Sequence, residues 1–297
     1  MKIAVSSYSF HQAITAGKMT QLDTVRAAAE LGFDGIEFTD LTPNKDEKPT
    51  WEQQMEYAKE LRKAADECGI EIVAYTIGAS LYQGSAEKDE AEVERLKKQV
   101  DVAAVLGAKL MRHDVCSAEK REDRTIGFFN MLPTIAANAR KVTEYAQTKG
   151  IRTCSENHGY VAQDSDRVEA LFNAVNHPNY GLLVDVGNFA CADEPSVHAV
   201  SRVAPYAIHV HAKDFRVYPF GTEVPAGVRC FKSRQCNQLC GVSVGEGDIP
   251  VRQCIAILKR AKYEGYFSIE YEGSEDCFKG IEKGLANLRS FVTEFYG

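Results

Sequence analysis

Short apolar runs alternate along the chain with longer stretches in which apolar residues return every three or four positions. The apolar runs fall at 3–8, 35–38, 71–77, 109–115, 152–157, 180–186, 206–213 and 266–271. Their length and β-branched content predict strands. Stretches of helical spacing lie between and after them, at 20–31, 51–68, 87–106, 128–149, 166–174, 195–204, 250–263 and 278–295. Leu22, Val25 and Ala29 mark the apolar face of the first helix. Gly32, Gly69, Gly107 and Gly150 follow directly on four of the helices, where a left-handed residue ends a helix at little cost. Pro195 stands at the start of another. Eight strand–helix units within 297 residues predict one domain over 1–297, a (β/α)8 barrel with eight parallel strands. An open, doubly wound sheet is the alternative. It usually carries a glycine-rich phosphate turn after its first strand, and here Ser7-Tyr8-Ser9-Phe10-His11 stands in that place. One connection breaks the rhythm. Residues 214–249 carry no helical pattern and are long for a barrel loop, so they are expected to form a lid over the site.

Composition then removes whole classes of function. An apolar fraction of 44% with 26% charged residues belongs to a water-soluble globular domain. The formal net charge of −7 argues against a nucleic-acid partner. No run approaches the roughly 18 apolar residues of a membrane span. The opening Met1-Lys2-Ile3-Ala4-Val5 run is too short for a signal peptide. The expectation is a cytoplasmic protein that does not engage membranes. A homo-oligomer is left open. Nine cysteines are scattered as single residues, as Cys68, Cys154 and Cys254 are, and read as buried thiols. Cys230, Cys236 and Cys240 cluster in the long connection without a Cys-x-x-Cys pair, a weak zinc signal. They are expected to be reduced.

The candidate chemistry sits at strand ends. In Arg152-Thr153-Cys154-Ser155-Glu156-Asn157-His158, alternation puts Cys154, Glu156 and His158 on one side. The next three apolar runs end in Asp185, in His209 and His211, and in Glu270 and Glu272. In a parallel barrel these ends converge on one mouth. Glu156, Asp185, His211 and Glu270 therefore form a candidate metal site of three carboxylates and one imidazole. That donor set suits Mn²⁺ first, and also Mg²⁺, Co²⁺ or Zn²⁺. Open positions would accept two oxygens of a hydroxy-ketone or sugar. His158 is read either as a substrate contact or as a hydrogen-bonding neighbour. His209 is read as a buried, satisfied histidine. Only one of Arg112 and His113 can face inward. His11 is a pocket candidate, and Glu246 reads as a solvated loop acid.

These stretches resemble the xylose isomerase-like barrel superfamily, and within it the small single-barrel sugar phosphate isomerases/epimerases. The resemblance runs from Glu30-Leu31-Gly32-Phe33-Asp34-Gly35-Ile36-Glu37 through Ser155-Glu156-Asn157-His158-Gly159 and Val184-Asp185-Val186-Gly187-Asn188. It continues in His209-Val210-His211-Ala212-Lys213-Asp214, Gly245-Glu246-Gly247-Asp248-Ile249 and Ile269-Glu270-Tyr271. It implies a divalent ion on Glu156, Asp185, His211 and Glu270. Glu156 and Glu270 would also move protons beside a carbonyl of a small sugar or sugar phosphate. His158, Arg216, His113 and Asn188 are the substrate-contact candidates. Asn188 is also a departure, since ketose 3-epimerases of the family commonly place a histidine there. Arg216 matches the family's substrate arginine only approximately in spacing. The implied activity is an isomerase or epimerase. A lyase of the same superfamily, an inosose dehydratase or a C-glycoside-cleaving enzyme, is the alternative. An endonuclease IV-like nuclease needs added histidines that this acidic chain lacks, and a non-catalytic sugar-binding barrel would not need four ligands.

Overall fold

The structure, a computed structural model, describes residues 1–44, 47–116 and 125–297. Seven strands alternate with helices before the long connection: β1 (Ile3–Ser6), β2 (Gly35–Thr39), β3 (Glu71–Ile77), β4 (Leu110–His113), β5 (Arg152–Glu156), β6 (Tyr180–Asp185) and β7 (Ala207–Ala212). Three further strands belong to the connection: β8 (Asp214–Tyr218), β9 (Phe231–Lys232) and β10 (Gln238–Val242). The last strand is β11 (Phe267–Ile269). Strands β1 to β7 and β11 close into a barrel of order β1-β11-β7-β6-β5-β4-β3-β2. All its neighbours are parallel. The predicted barrel is the one observed.

Local chemistry explains the helices that cover it. Trp51–Cys68 begins with a capping box, in which Thr50 accepts from the Gln53 backbone and the Gln53 side chain accepts from the Thr50 N–H. It stops at Gly69, whose φ of 67° is left-handed, a conformation glycine adopts without strain. Apolar side chains of the helices pack on the outer face of the strands as one continuous core. Inside the barrel, alternation separates two layers. Ala4, Ala74, Leu110, Cys154 and Leu183 form a small apolar plug. Residues one step further along the same faces, among them Arg112, Glu156 and Asp185, begin a polar layer toward the C-terminal mouth. No helix among the described residues is long and apolar enough to cross a membrane.

The connection expected as a loop is a small antiparallel sheet of order β8-β10-β9. The expectation of reduced cysteines there is overturned. Gln238 pairs with Lys232 and Leu239 with Phe231, so the next step of the ladder sets Cys240 against Cys230. Their Cα atoms are 4.2 Å apart and the two form a disulfide. Cys236 remains a free, exposed thiol in the turn between β9 and β10.

Asp214 ties the sheet back to the barrel. Its buried carboxylate accepts from the backbone N–H of Gly245 (2.8 Å), Gly247 (2.9 Å) and Ile249 (3.1 Å). A side chain on Gly247 would run into that carboxyl group. Burial pushes the Asp214 carboxyl up to about 6, against the pull of these donors. Asp214→Ala would orphan all three donors, at about 1–3 kcal/mol for each group left buried. The expected result is a clear loss of stability in urea denaturation. An unchanged midpoint would show that the turn holds itself.

Candidate metal centre

The four residues singled out by their strand ends meet at one point. His211 Nδ1 faces Glu156 Oε1 at 3.6 Å, Asp185 Oδ2 at 3.8 Å and Glu270 Oε2 at 3.6 Å. One donor atom from each of the four lies within 4.8 Å of every other. Register brings them there. Asp185 pairs directly with His211 across β6 and β7. The N–H of Glu270, just past β11, donates to the Ala212 carbonyl at 3.2 Å.

The surrounding bonds aim specific atoms at that point. Asp185 Oδ1 accepts from the N–H groups of Gly187 (2.8 Å) and Asn188 (2.9 Å), which leaves Oδ2 turned inward. Asn157 clamps the same strand end, donating to the Asp185 carbonyl and accepting from its N–H, each at 2.9 Å. Asp185 Oδ2 is buried 3.2 Å from the Lys213 ammonium, and His211 Nδ1 is buried without a hydrogen-bond partner. Buried polar atoms are seldom left that way. Oxygens and a nitrogen bound at about 2.1 Å to one ion stand about 3.0–3.6 Å apart. The spacing around His211 Nδ1 is close to that, so the residues fit a divalent cation.

Sequence reading missed the carboxylate behind the histidine. Glu37, on β2, is fully buried. Its Oε1 lies 2.6 Å from His211 Nε2, and its Oε2 accepts from His209 Nε2 at 2.6 Å. Burial works against its charge, but His211 and His209 overrule burial and hold the carboxyl far below its usual range. An acid on the inward parity of an apolar strand was the available signal. His209 is buried and satisfied, as expected.

Two cations balance the acids. Arg112 Nη2 contacts Glu156 Oε2 at 2.5 Å and Asp114 Oδ1 at 2.6 Å. Lys213 Nζ lies 2.6 Å from Glu270 Oε2, 3.2 Å from Asp185 Oδ2 and 3.3 Å from Glu272 Oε2. Burial opposes ionisation of both glutamates. Arg112 and His211 nevertheless lower Glu156, and Lys213 and His211 hold Glu270 well below its usual range. Glu272 goes the other way: burial, helped by Glu270 and Asp185, outweighs Lys213 and raises it.

The substrate-contact candidates divide. Asn188 donates to Glu156 Oε1 (2.9 Å) and accepts from Lys213 (3.2 Å), so it orients two members of the centre. His158 is half exposed at the mouth and lies 2.9 Å from Asp114 Oδ1. Asp114 raises it despite the opposing effect of burial. His113 does not reach the centre. Arg112 takes the inward face, pairing with Cys154 in register, so His113 points outward, where its Nδ1 meets the Asp114 carbonyl at 2.9 Å. Arg216 is engaged elsewhere, 2.6 Å from Asp248 Oδ1 and bonded to the Glu246 carbonyl. Glu246 is a half-exposed loop acid. His11 stacks on Tyr8 with ring centroids 4.8 Å apart.

The profile of a family described as xylose isomerase-like TIM barrel matches residues 25–291. The chain belongs to that family. A relative named inosose dehydratase, from Geobacillus thermodenitrificans, is 24% identical over 293 residues, covering 95% of this chain and 91% of the relative. L-ribulose-5-phosphate 3-epimerase UlaE of Salmonella paratyphi C is 23% identical over 246 residues, covering 78% of this chain and 83% of the epimerase. Among solved structures, an IOLI protein with a bound zinc atom superposes with a TM-score of 0.75 at 16% identity, over the whole of both chains. A xylose isomerase-like barrel protein of Mycobacterium smegmatis, solved with magnesium, gives 0.69 at 20% identity, covering 99% of this chain and 97% of that one. At these identities the superpositions show the fold. Both of these sequence relatives are named as enzymes.

Proposed function

We propose that this protein is a divalent-metal-dependent isomerase or epimerase of a small sugar or sugar phosphate. It would act by moving a proton at the carbon beside a carbonyl. The observation that carries the reading is the ring of three carboxylate oxygens 3.6–3.8 Å from one buried, unpartnered imidazole nitrogen. Glu156, Asp185, His211 and Glu270 would hold the ion, Mn²⁺ before Mg²⁺, Co²⁺ or Zn²⁺. When bound, a divalent cation supplies positive charge to the carbonyl and neighbouring hydroxyl oxygens, which makes the adjacent C–H more acidic.

The protein's own groups carry the remaining work. Glu156 and Glu270 come from β5 and the end of β11, with β6 and β7 between them. They therefore face each other across Asp185 and His211. One takes the proton and the other returns it on the opposite face, which inverts the carbon. Each glutamate has a cation at its side, Arg112 for Glu156 and Lys213 for Glu270. These cations hold the carboxylates ionised and oriented in a site largely closed to water. The sheet of 214–249 would act as the lid, docked by the Arg229 N–H to Ser274 Oγ (2.8 Å) and the Asn237 amide to Asp193 Oδ1 (2.8 Å).

Dehydration is a second reading, favoured by the relative named inosose dehydratase. It shares the first proton removal and then expels a neighbouring hydroxyl. The test joins metal analysis of the purified protein with a screen of ketoses, inososes and sugar phosphates in D₂O. An isomerase or epimerase returns a product carrying solvent deuterium, and a dehydratase returns a product that has lost water. Activity that survives complete chelation would sink the metal-dependent reading.

A further inference from the structure

A cleft of about 220 Å³ adjoins the centre on the side of β5, β6 and β7, beneath the small sheet. It is smaller than the roughly 300–1,000 Å³ that drug-sized ligands occupy, so it suits one ring of five or six atoms. Its lining combines two kinds of group, the aromatic rings of Phe215, Phe231 and Tyr160 and the polar side chains of Lys213, Glu272 and Asn188. Phe215 and Phe231 meet edge to face with centroids 6.5 Å apart, which fixes these two rings against each other.

We propose that this cleft is the subsite for the unreacting part of the substrate, and that it takes an uncharged polyol ring, a monosaccharide or cyclitol without phosphate. The proposal rests on the function given above. A polyol ring has C–H faces that lie against aromatic rings and an edge of hydroxyls that both donate and accept. The polar groups match that edge: the Asn188 amide keeps one N–H beyond its bond to Glu156, the Glu272 carboxylate accepts, and the Lys213 ammonium is held against Glu272. Lys213 also touches Asp185 and Glu270, so the same ammonium joins the cleft to the metal centre.

The carboxylates around Lys213 disfavour the phosphorylated alternative. Lys213 already faces three carboxylates, those of Asp185, Glu270 and Glu272. His158, at the mouth of the cleft, is already paired with Asp114. A phosphate dianion would add negative charge beside Glu272, and like charges repel. A neutral hydroxyl meets no such penalty.

Ligand-observed NMR on the metal-loaded full chain tests this, with D-fructose, myo-inositol and D-fructose 6-phosphate as probes. The two neutral probes should bind, and the phosphate ester should bind at least tenfold more weakly. Phe231→Ala should weaken the neutral probes by up to about tenfold, the scale of one lost aromatic contact, with metal content unchanged. Phe231→Tyr keeps the aromatic face and should retain the affinity. Glu272→Gln should narrow the gap between ester and neutral probes. An ester that binds as tightly as the neutral sugar, no binding of either, or neutral binding indifferent to Phe231→Ala overturns the subsite. The D₂O screen separates this from the wider reading. Deuterium exchange that is best with a phosphate ester leaves the isomerase standing and removes the subsite. Neutral binding that depends on Phe231, without exchange in any probe, leaves the subsite standing and removes the isomerase.

Discussion

Glu156→Gln and Glu270→Gln are each expected to lower turnover by about 10²–10⁴-fold, the usual effect of a lost acid–base group, while the protein still takes up metal. Glutamine keeps one oxygen near the position of the lost carboxylate oxygen, so a weakened ligand remains. It cannot accept a proton at neutral pH. The neighbours sharpen the expectation. Glu156 Oε2 is held by Arg112 at 2.5 Å and its Oε1 by Asn188 at 2.9 Å. Glu270 Oε2 is held by Lys213 at 2.6 Å. At position 156 an amide turns its own NH₂ toward either Arg112 or the Asn188 amide, so some orientation is lost there along with the base. Asp185→Ala removes the inward Oδ2 and His211→Ala removes Nδ1, the atom around which the other three converge. Those two variants should lose metal first and activity as a consequence, with partial recovery in excess Mn²⁺. Metal content and deuterium exchange in the four variants decide the division of labour. Full exchange in both glutamine variants would place the base elsewhere, and His158 would be examined next.

The barrel was legible because its signal repeats. Eight apolar runs, each followed by a helical period, leave few alternatives, and the acids and histidines stand out against apolar strand ends. What escaped depended on which residues end up side by side. Glu37 was visible as a buried-parity acid, but its partners lie on β7, far along the chain, and no local pattern links them. Arg112 and His113 differ by one step of a strand. Only the register that sets Arg112 against Cys154 decides which one faces inward. The disulfide likewise follows from ladder register between β9 and β10, which cannot be read from cysteine spacing. Arg216 looked like a substrate residue by position. Asp248, which holds it, comes from a turn that Asp214 places there. The sheet in 214–249 was hidden because its strands are short and separated by turns.

Glu37→Gln is expected to weaken metal binding by about 10–100-fold, the usual result of losing the carboxylate behind a liganding histidine. His211 presents Nδ1 to the cluster and Nε2 to Glu37 at 2.6 Å. A metal takes the lone pair of a neutral ring, so the proton must sit on the other nitrogen. The charge of Glu37 favours that tautomer and raises the ring's strength as a donor. Glutamine offers only a neutral oxygen to one ring, and its NH₂ opposes the N–H of the other. Stability should fall as well, because removing one partner of a buried ionic group costs about 3–5 kcal/mol. The two effects separate cleanly when metal affinity is measured by competition with a chelator on protein that is still folded by circular dichroism. A merely structural Glu37 would lower the unfolding midpoint and leave the affinity of the folded fraction unchanged. A positioning Glu37 lowers both, and His211→Ala, which removes the ligand itself, sets the floor against which the loss is judged.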